Sequence, residues 1–251
     1  MIYGVEQQLR ALAARIGVAL RVTVMTGAGV SAASGIPTFR GTGGLWRTHR
    51  AEDLATPEAF ARDPALVWEW YAWRRAQVAS CQPNAAHEVL ARWSQRGLKG
   101  AHVVTQNVDD LHIRAGTHDL IRLHGSLWEI KCFNGCARGA RPWRDDRVPL
   151  PDALPRCPHC GGPARPAVVW FGESLDPDDV DRASEATACD VFLAVGTSAV
   201  VYPAAGFARH AKAQGAFTAE INLEQTPASS LVDLSILGAA EDVLSQLDHL
   251  L

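Results

Sequence analysis

Residues 21–29 carry the sequence RVTVMTGAG, in which an apolar, β-branched run is followed by two glycines. Helical sequence separates this stretch from others like it, for instance at 85–96 and 203–213. Buried strands that alternate with helices predict an α/β fold built on a Rossmann-like, doubly wound parallel sheet. Ligands of such sheets bind at the carboxyl ends of the strands. Three more predicted strands have polar residues at that end: HVVTQN at 102–107, DVFLAVGTS at 190–198 and FTAEIN at 217–222.

The composition excludes several classes of protein. Among 251 residues, 47% are hydrophobic and the formal net charge is −3, so the basic excess of a nucleic-acid-binding domain is absent. The apolar residues of the first 20 positions recur at helical spacing around Glu6, Arg10 and Arg15, which predicts an amphipathic helix and not a signal peptide. We therefore expect a cytoplasmic monomer with no nucleic-acid or membrane partner.

Two segments interrupt the alternation of strands and helices. Residues 41–75 hold a GTGG loop and a Trp-rich helical stretch, and residues 127–166 hold four cysteines among prolines and glycines. We predict that both form a smaller domain over the sheet. The predicted division is a Rossmann-like domain from 1–40, 76–126 and 167–251, a cofactor loop and helical module at 41–75, and a zinc-binding module at 127–166.

The four clustered cysteines have the spacing of a metal site. Cys132, Cys136, Cys157 and Cys160 form the pattern C-x3-C-x20-C-x2-C. Two close pairs of this kind supply the four thiolates of a tetrahedral structural zinc. A closed four-cysteine shell leaves no open position for chemistry, so the predicted zinc is structural. The alternative is four unrelated thiols.

The glycine turn alone leaves two interpretations open. Gly27 and Gly29 follow a strand, and glycines there allow the backbone to approach a pyrophosphate. The full dinucleotide fingerprint is incomplete, because its third glycine and the acidic residue about 20 positions further on are missing. A tight strand–helix turn without a ligand fits these residues equally well.

A longer match resolves this ambiguity. The sequence GAGVSAASGIPTFRG at 27–41 resembles the cofactor-loop signature of sirtuins. Over roughly residues 5–245 the chain is similar to that family, although its first cysteine pair encloses three residues where the family usually has two. The resemblance implies an NAD-dependent protein lysine deacylase that acts on acyl-lysine proteins or peptides. Further matches follow in order: TQNVDDLH at 105–112, LHGS at 123–126, the cysteines, VVWFGE at 168–173, GTSAVVYPAA at 196–205 and INLE at 221–224.

The resemblance also implies a reaction in which NAD is consumed. The acyl oxygen attacks the ribose C1′, nicotinamide leaves, and His124 acts as the general base on a ribose hydroxyl. The products are lysine, nicotinamide and an O-acyl-ADP-ribose. A near-neutral pKa suits histidine to this role. Asn107 and Asp109 complete the predicted catalytic set, although strand-end Asn and Asp also cap helices.

Cofactor-binding residues are implied at several strand ends. Ile36 would line the nicotinamide pocket, Phe39 would shield the ribose from water, and Arg40 would lie near the phosphates. The predicted set is Gly27, Ala28, Gly29, Ile36, Phe39, Arg40, Gln106, Asn107, Asp109, Gly196, Thr197, Ser198, Asn222, Glu224 and Ala240.

A Y-x-x-R pair indicates the acyl group. Tyr71 and Arg74 lie on one face of a predicted helix and resemble the pair that marks desuccinylase-like sirtuins, and Ala55 matches a small residue of that branch. We therefore predict a preference for succinyl or malonyl over acetyl, while a core Tyr and a surface Arg remain the plain alternative.

The peptide is expected to add as a strand. The residues implied for this contact are Val169, Phe171, Gly172 and Glu173.

Other functions remain open at this point. The same fold could be used mainly as a deacetylase, with Tyr71 and Arg74 tolerated but little used. Protein ADP-ribosylation or NAD hydrolysis shares the first chemical step. A non-catalytic NAD-sensing module is a third alternative, against which the presence of His124, Asn107 and Asp109 argues.

Overall fold

A computed structural model describes residues 2–38, 45–46, 49–95, 101–150, 154–198 and 204–251. Its elements, in chain order, are α1 (Ile2–Val18), β1 (Val22–Thr26), a 3-10 helix (Ala28–Ser34), β2 (Leu45–Trp46), β3 (His49–Arg50), α2 (Ala51–Leu54), α3 (Pro57–Arg62), α4 (Pro64–Ser80), α5 (Ala85–Gln95), β4 (His102–Thr105), α6 (Leu111–Arg114), β5 (Leu120–Arg122), β6 (Gly125–Cys132), β7 (Trp143–Arg144), β8 (Ala164–Val168), α7 (Pro177–Ala186), β9 (Val191–Val195), α8 (Ala204–Ala213), β10 (Phe217–Asn222), β11 (Leu234–Leu237) and α9 (Ala240–Leu250).

Six of the strands form one parallel sheet in the order β5-β4-β1-β9-β10-β11. Counted along the chain, these strands have the order 3-2-1-4-5-6, which is that of the Rossmann fold. The direction of winding reverses between β1 and β9, so a crevice opens beyond their carboxyl ends. The predicted fold class is confirmed.

Helices cover both faces of the sheet, and alternate side chains of β1 pack into a separate core on each face. Val24 packs with apolar residues of α1, α5 and α9, whereas Met25 packs with residues of α7 and α8. The predicted amphipathic helix is α1, whose Leu12 and Ile16 are fully buried against the sheet. No helix in the described ranges is long and apolar enough to cross a membrane.

The local elements agree with the sequence except in detail. All four predicted strands are present, but the edge strands β5 and β11 were not predicted. They have three and four residues and are partly exposed, so the sequence shows no continuous apolar run there. The glycine turn leads into a 3-10 helix and not an α-helix.

A smaller domain combines the antiparallel sheet β7-β6-β8 with helices α2 to α4. Helix α4 begins at Pro64 because the Asp63 side chain accepts a hydrogen bond from Leu66 N at 3.0 Å. Buried Arg75 ties α4 to the sheet, since its Nε donates to Leu127 O at 2.7 Å. Helix α4 continues to Ser80, past the predicted module boundary at 75, and the division of the chain into modules stays a prediction.

Candidate active site

The glycine turn lies where the winding of the sheet reverses. Gly29 N donates to Gly196 O at 2.8 Å, so the turn after β1 rests on the turn after β9. A Cβ on Gly27 would meet Gly196 O at 2.8 Å, and one on Gly29 would meet Gly196 Cα at 2.7 Å. These positions therefore require glycine. The bare backbone of Gly27, Ala28 and Gly29 at this crevice suits the close approach of a pyrophosphate.

Ser31 holds two predicted catalytic side chains together. Its hydroxyl donates to Asp109 Oδ2 at 2.8 Å and accepts from Asn107 Nδ2 at 3.1 Å. Asn107 Nδ2 also donates to Gly27 O at 3.0 Å, which orients the amide oxygen away from the turn. Burial raises the pKa of Asp109, and hydrogen bonds from Leu111 N and Ser31 oppose that rise. The β4 loop and the glycine turn thus form one hydrogen-bonded unit.

Two buried histidines lie beside this unit, with His87 next to Ser31 and His112 against His87. His87 Nδ1 accepts from Asn84 N at 3.3 Å, which places the ring proton on Nε2, 3.4 Å from Ser31 Oγ. Burial lowers the pKa of His87 from 6.5 to about 4, so the ring is neutral at pH 7. The His112 ring packs against it with centroids 4.8 Å apart. Burial also lowers the pKa of His112 well below 6.5.

His124 lies between β5 and β6 with its ring oriented by the β4 loop. Its Nδ1 is 2.9 Å from the Gln106 carbonyl oxygen, which accepts a hydrogen bond and so fixes the hydrogen on Nδ1. The other nitrogen, Nε2, is then an unprotonated base. Burial lowers the pKa of His124, against an opposite effect of the Gln106 hydrogen bond. The residue has the protonation state that a general base needs.

Thr197 joins three strand ends on the other side of the crevice. Its hydroxyl accepts from Gln106 Nε2 at 2.8 Å, and its carbonyl accepts from Asn222 Nδ2 at 2.8 Å. The structure therefore brings together the predicted residues after β4, β9 and β10. The remaining predicted residues differ in exposure: Ile36 and Ser198 are half-buried, Ala240 is buried at the start of α9, Glu224 is exposed, and Phe39 and Arg40 lie outside the described residues.

The Y-x-x-R pair lies within the smaller domain. Tyr71 is fully buried, and the guanidinium carbon of Arg74 lies 5.6 Å from the Tyr71 ring centroid and 5.0 Å from that of Trp70. Burial lowers the pKa of Arg74, while the negative charge of Asp109 opposes this. Ala55 is buried nearby in the same core, and its carbonyl accepts from Phe171 N at 2.9 Å. Tyr71 thus lies in the core of the smaller domain, with the half-buried Arg74 side chain against it.

The predicted peptide-binding segment begins directly beside His124. Val169 N donates to His124 O at 3.0 Å, and Phe171 is 51% exposed. Gly172 has a φ of +85°, which favours glycine. Glu173 faces inward, because its carboxylate accepts from Arg165 and from Trp170 N. The Glu173 carboxylate is therefore turned towards Arg165 and the Trp170 backbone, and its contact with a peptide stays a prediction.

Comparison with known proteins identifies the family. A model of the Sir2 family matches residues 27–203. The chain is 48% identical over 216 residues to an NAD-dependent protein deacylase of Aquifex aeolicus, covering 86% of this chain and 88% of that protein. The chain belongs to the Sir2 family. It is also 47% identical to the mitochondrial NAD-dependent protein deacylase sirtuin-5 of Canis lupus familiaris, covering 84% and 76% of the two chains.

A solved Sir2 structure has the same fold. The crystal structure of a Sir2 homolog–NAD complex matches with a TM-score of 0.89 and 45% identity, covering 96% of this chain and 93% of that one. The predictions of the family, the enzyme class and the NAD requirement are confirmed. The site roles of individual residues stay predictions, now supported by the geometry above.

The four cysteines fit the zinc that the Sir2 resemblance implies. Their Sγ atoms all lie within 4.8 Å of one another, and two pairs are 3.5 and 3.7 Å apart. Tetrahedral zinc with Zn–S bonds of about 2.3 Å separates its sulfurs by about 3.8 Å. Gly139 lies so close that a Cβ would meet Cys157 Sγ at 2.7 Å. Thiolates at this spacing would hold one structural zinc between β6 and β8.

Several residues of this Sir2 site were not singled out from the sequence. Ser31 and His112 lie inside quoted motifs, but their hydrogen bonds join segments 76 to 86 residues apart. Trp170 lies within VVWFGE and is buried among the aromatic residues of the smaller domain. Membership in a motif was the available signal, and the contacts that give these side chains a role depend on the fold.

Proposed function

We propose that this Sir2-family enzyme removes acyl groups from protein lysines with NAD, and that it prefers succinyl or malonyl to acetyl. One observation carries the preference: the Arg74 guanidinium lies beside fully buried Tyr71, with the small Ala55 in the same core. A cationic guanidinium beside a phenol hydroxyl suits a negatively charged acyl group better than a neutral methyl group.

The electrostatics favour an acidic ligand. Burial lowers the pKa of Arg74, which means that the surroundings disfavour its positive charge. A carboxylate on the acyl group would offset that cost, and a planar guanidinium can bind it with two parallel hydrogen bonds. Hydrogen bonds to charged groups contribute about 1.5–3 kcal/mol, which corresponds to a preference of about 10- to 100-fold. Deacetylation would persist at a lower rate.

The arrangement of the crevice supports the chemistry. Bound NAD supplies a ribose carbon that accepts the acyl oxygen as its bond to nicotinamide breaks. The Asn107 amide and the Asp109 carboxylate, both fixed by Ser31, would position the nicotinamide ribose and carboxamide. His124 Nε2 would take the proton of a ribose hydroxyl, since Gln106 holds the ring hydrogen on Nδ1.

The exposed segment after β8 would bind the peptide. Extended chains add to such segments through backbone hydrogen bonds, which give affinity with modest sequence selectivity. Val169 is anchored to the His124 carbonyl, so a peptide paired with this segment would lie within reach of the base. Acyl-lysine proteins or peptides are accordingly the proposed substrates.

The substitution Arg74→Met tests the acyl preference. It keeps an unbranched apolar side chain and removes the charge, so we expect kcat/KM for a succinyl-lysine peptide to fall about 10- to 100-fold. Deacetylation of the matched acetyl peptide should change much less, because the acetyl group has no carboxylate for Arg74 to bind. Arg182→Met, which removes an exposed arginine paired with Asp179, is the control for loss of charge. An equal loss of both activities would contradict the proposal, and so would no loss of either.

A further inference from the structure

Trp170 links the peptide-binding segment to the acyl pocket. It lies between Val169 and Phe171, yet only 2% of its surface is exposed. Its indole Nε1 donates a hydrogen bond of 2.8 Å to the hydroxyl oxygen of Tyr71, 99 residues away. Both partners are buried, so this bond is shielded from water and is electrostatically stronger than an exposed one.

The indole ring is held in place from two sides. The Arg165 guanidinium carbon lies 3.3 Å from the ring centroid of Trp170, and Phe60 packs with its ring centroid 5.4 Å away. The backbone of Trp170 is fixed as well, because its N–H donates to Glu173 Oε2 at 2.8 Å. Arg165 Nη2 donates to the same Glu173 carboxylate at 3.0 Å. Arg165 and Glu173 thus form a clamp around Trp170, which we call the Trp170 clamp.

The direction of the Trp170–Tyr71 bond determines what the phenol can bind. An indole N–H is only a donor, whereas a phenol hydroxyl donates one hydrogen bond and also accepts. Because Tyr71 Oη accepts from Trp170, its own hydrogen is directed elsewhere. A hydroxyl fixed in this way discriminates in favour of a ligand that only accepts, such as a carboxylate.

We propose that Trp170 is a positioning residue for acyl specificity, which orients the Tyr71 hydroxyl to donate to the carboxylate of an acidic acyl group. This inference rests on the proposed function, since it assigns the origin of the acyl preference and not its existence. It also gives Glu173 a role: the carboxylate secures Trp170 and does not contact the peptide.

A double-mutant cycle with Trp170→Phe and Tyr71→Phe tests the inference. Phenylalanine keeps an aromatic ring in the core and removes the indole N–H. If Trp170 acts through the Tyr71 hydroxyl, Trp170→Phe should lower the succinyl-to-acetyl ratio of kcat/KM by about 2- to 12-fold, the contribution of one hydrogen bond. In the Tyr71→Phe background the same substitution should change the ratio by less than about twofold, because coupled residues are not additive.

A matched control separates this role from general packing. Trp68 is also a fully buried tryptophan of the smaller domain, and its Nε1 donates at 2.8 Å to the Ala164 carbonyl and not to Tyr71. Trp68→Phe should therefore lower stability without changing the succinyl-to-acetyl ratio. A change in the ratio as large as that of Trp170→Phe would overturn the inference.

A second variant covers the case in which Trp170→Phe does not fold. Glu173→Gln removes the charge that pairs with Arg165 and keeps an acceptor for Trp170 N, so it loosens the Trp170 clamp at a partly exposed position. It should lower the ratio with Tyr71 present and leave it unchanged with Phe at position 71.

The outcomes distinguish the two proposals. Suppose that the wild-type enzyme prefers succinyl, and that Trp170→Phe lowers the succinyl-to-acetyl ratio equally in both backgrounds or in neither. That result would refute the role of Trp170 and leave the proposed function standing. A wild-type enzyme without acyl preference would refute the proposed function, and the inference with it.

Discussion

At the residue scale, the state of His124 follows from a single neighbour. The Gln106 carbonyl accepts from Nδ1 at 2.9 Å, and a neutral ring then has its lone pair on Nε2. Partial burial disfavours the imidazolium and lowers the pKa. The ring of this proposed base is therefore neutral over a wider pH range than that of an exposed histidine.

The pH dependence of turnover follows from this shift. A lowered pKa keeps Nε2 unprotonated as the pH falls through 6.5, so kcat/KM should stay constant there and decline only at lower pH. A pH–rate profile with an acyl-lysine peptide measures the midpoint of that decline. A midpoint above 6.5 would contradict the assignment.

Substitution of the base gives a second test of the same residue. His124→Ala should reduce kcat about 10²- to 10⁴-fold, the usual contribution of general acid–base catalysis. His118→Ala, at an exposed position, is the control and should keep normal turnover. Normal turnover by His124→Ala would show that another group is the base.

The motifs predict which residues belong to the site, but they do not predict which side chains contact one another. His124, Asn107 and Asp109 stand in short matched sequences, so their positions could be assigned from the sequence alone. The inward orientation of Glu173 could not, because it depends on Arg165 and on the turn that Trp170 completes. Contacts between residues far apart in sequence exist only once the two domains are packed.

At the element scale, the close contact of two turns defines the cofactor crevice. Gly29 and Gly196 lie so near each other that no side chain fits between them. Elements with a clear apolar run or a glycine pattern were predicted from sequence, and the short edge strands β5 and β11 were not. Such strands have few buried side chains, so their hydrogen-bonding partners, and not their composition, fix them as strands.

The substitution Gly29→Ala tests the glycine turn. Its Cβ would meet Gly196 backbone atoms at 2.7 and 2.8 Å, which forces the turns apart. We expect a raised KM for NAD and a loss of about 1–3 kcal/mol in the free energy of unfolding, as for other overpacked sites. Steady-state kinetics and urea denaturation measure the two effects.

Gly17→Ala is the matched control for this change. Gly17 lies in α1, and a Cβ there would meet nothing within 4 Å. It should keep the KM for NAD and stabilise the helix by up to about 1 kcal/mol. An unchanged KM in Gly29→Ala would show that the turn does not approach the cofactor.

The four clustered cysteines connect two strands, because Cys132 ends β6 and Cys157 and Cys160 precede β8. Strand β6 pairs with β8, and β8 leads into the proposed peptide-binding segment at 168–173. Cys160→Ser should lower the bound zinc and the melting temperature, since a structural zinc contributes directly to folding. Cys81→Ser, outside the cluster, should change neither. Metal analysis and calorimetry measure both, and full zinc binding by Cys160→Ser would contradict the four-thiolate site.

At the scale of the whole molecule, the two domains have different parts in the proposed reaction. The Rossmann-like sheet holds the glycine turn and the strand ends proposed to bind NAD, and the smaller domain holds the residues proposed to bind the acyl group. The β4 loop connects them, because Asp110 of that loop accepts from Arg144 of β7 at 2.6 Å. The neighbouring Asp109 accepts from Ser31 of the glycine turn. The glycine turn and the smaller domain therefore both contact the β4 loop.

The alternation of strands and helices predicted this architecture, and the order of the matched motifs agrees with it, since each motif marks a strand end or an insertion of the same fold. The order of the motifs alone does not predict the acyl preference. The proposed preference rests on the half-buried Arg74 beside Tyr71 and on the Trp170–Tyr71 hydrogen bond, which arise from packing within α4 and between α4 and the segment after β8.

The most direct test of the deacylase assignment compares NAD-dependent deacylation of matched succinyl- and acetyl-lysine peptides by the wild-type enzyme. The acylated ADP-ribose product is followed by mass. We expect both products, with kcat/KM for the succinyl peptide higher by about 10- to 100-fold. Faster removal of acetyl would contradict the acidic pocket, and NAD turnover without any acylated ADP-ribose would contradict the deacylase mechanism itself.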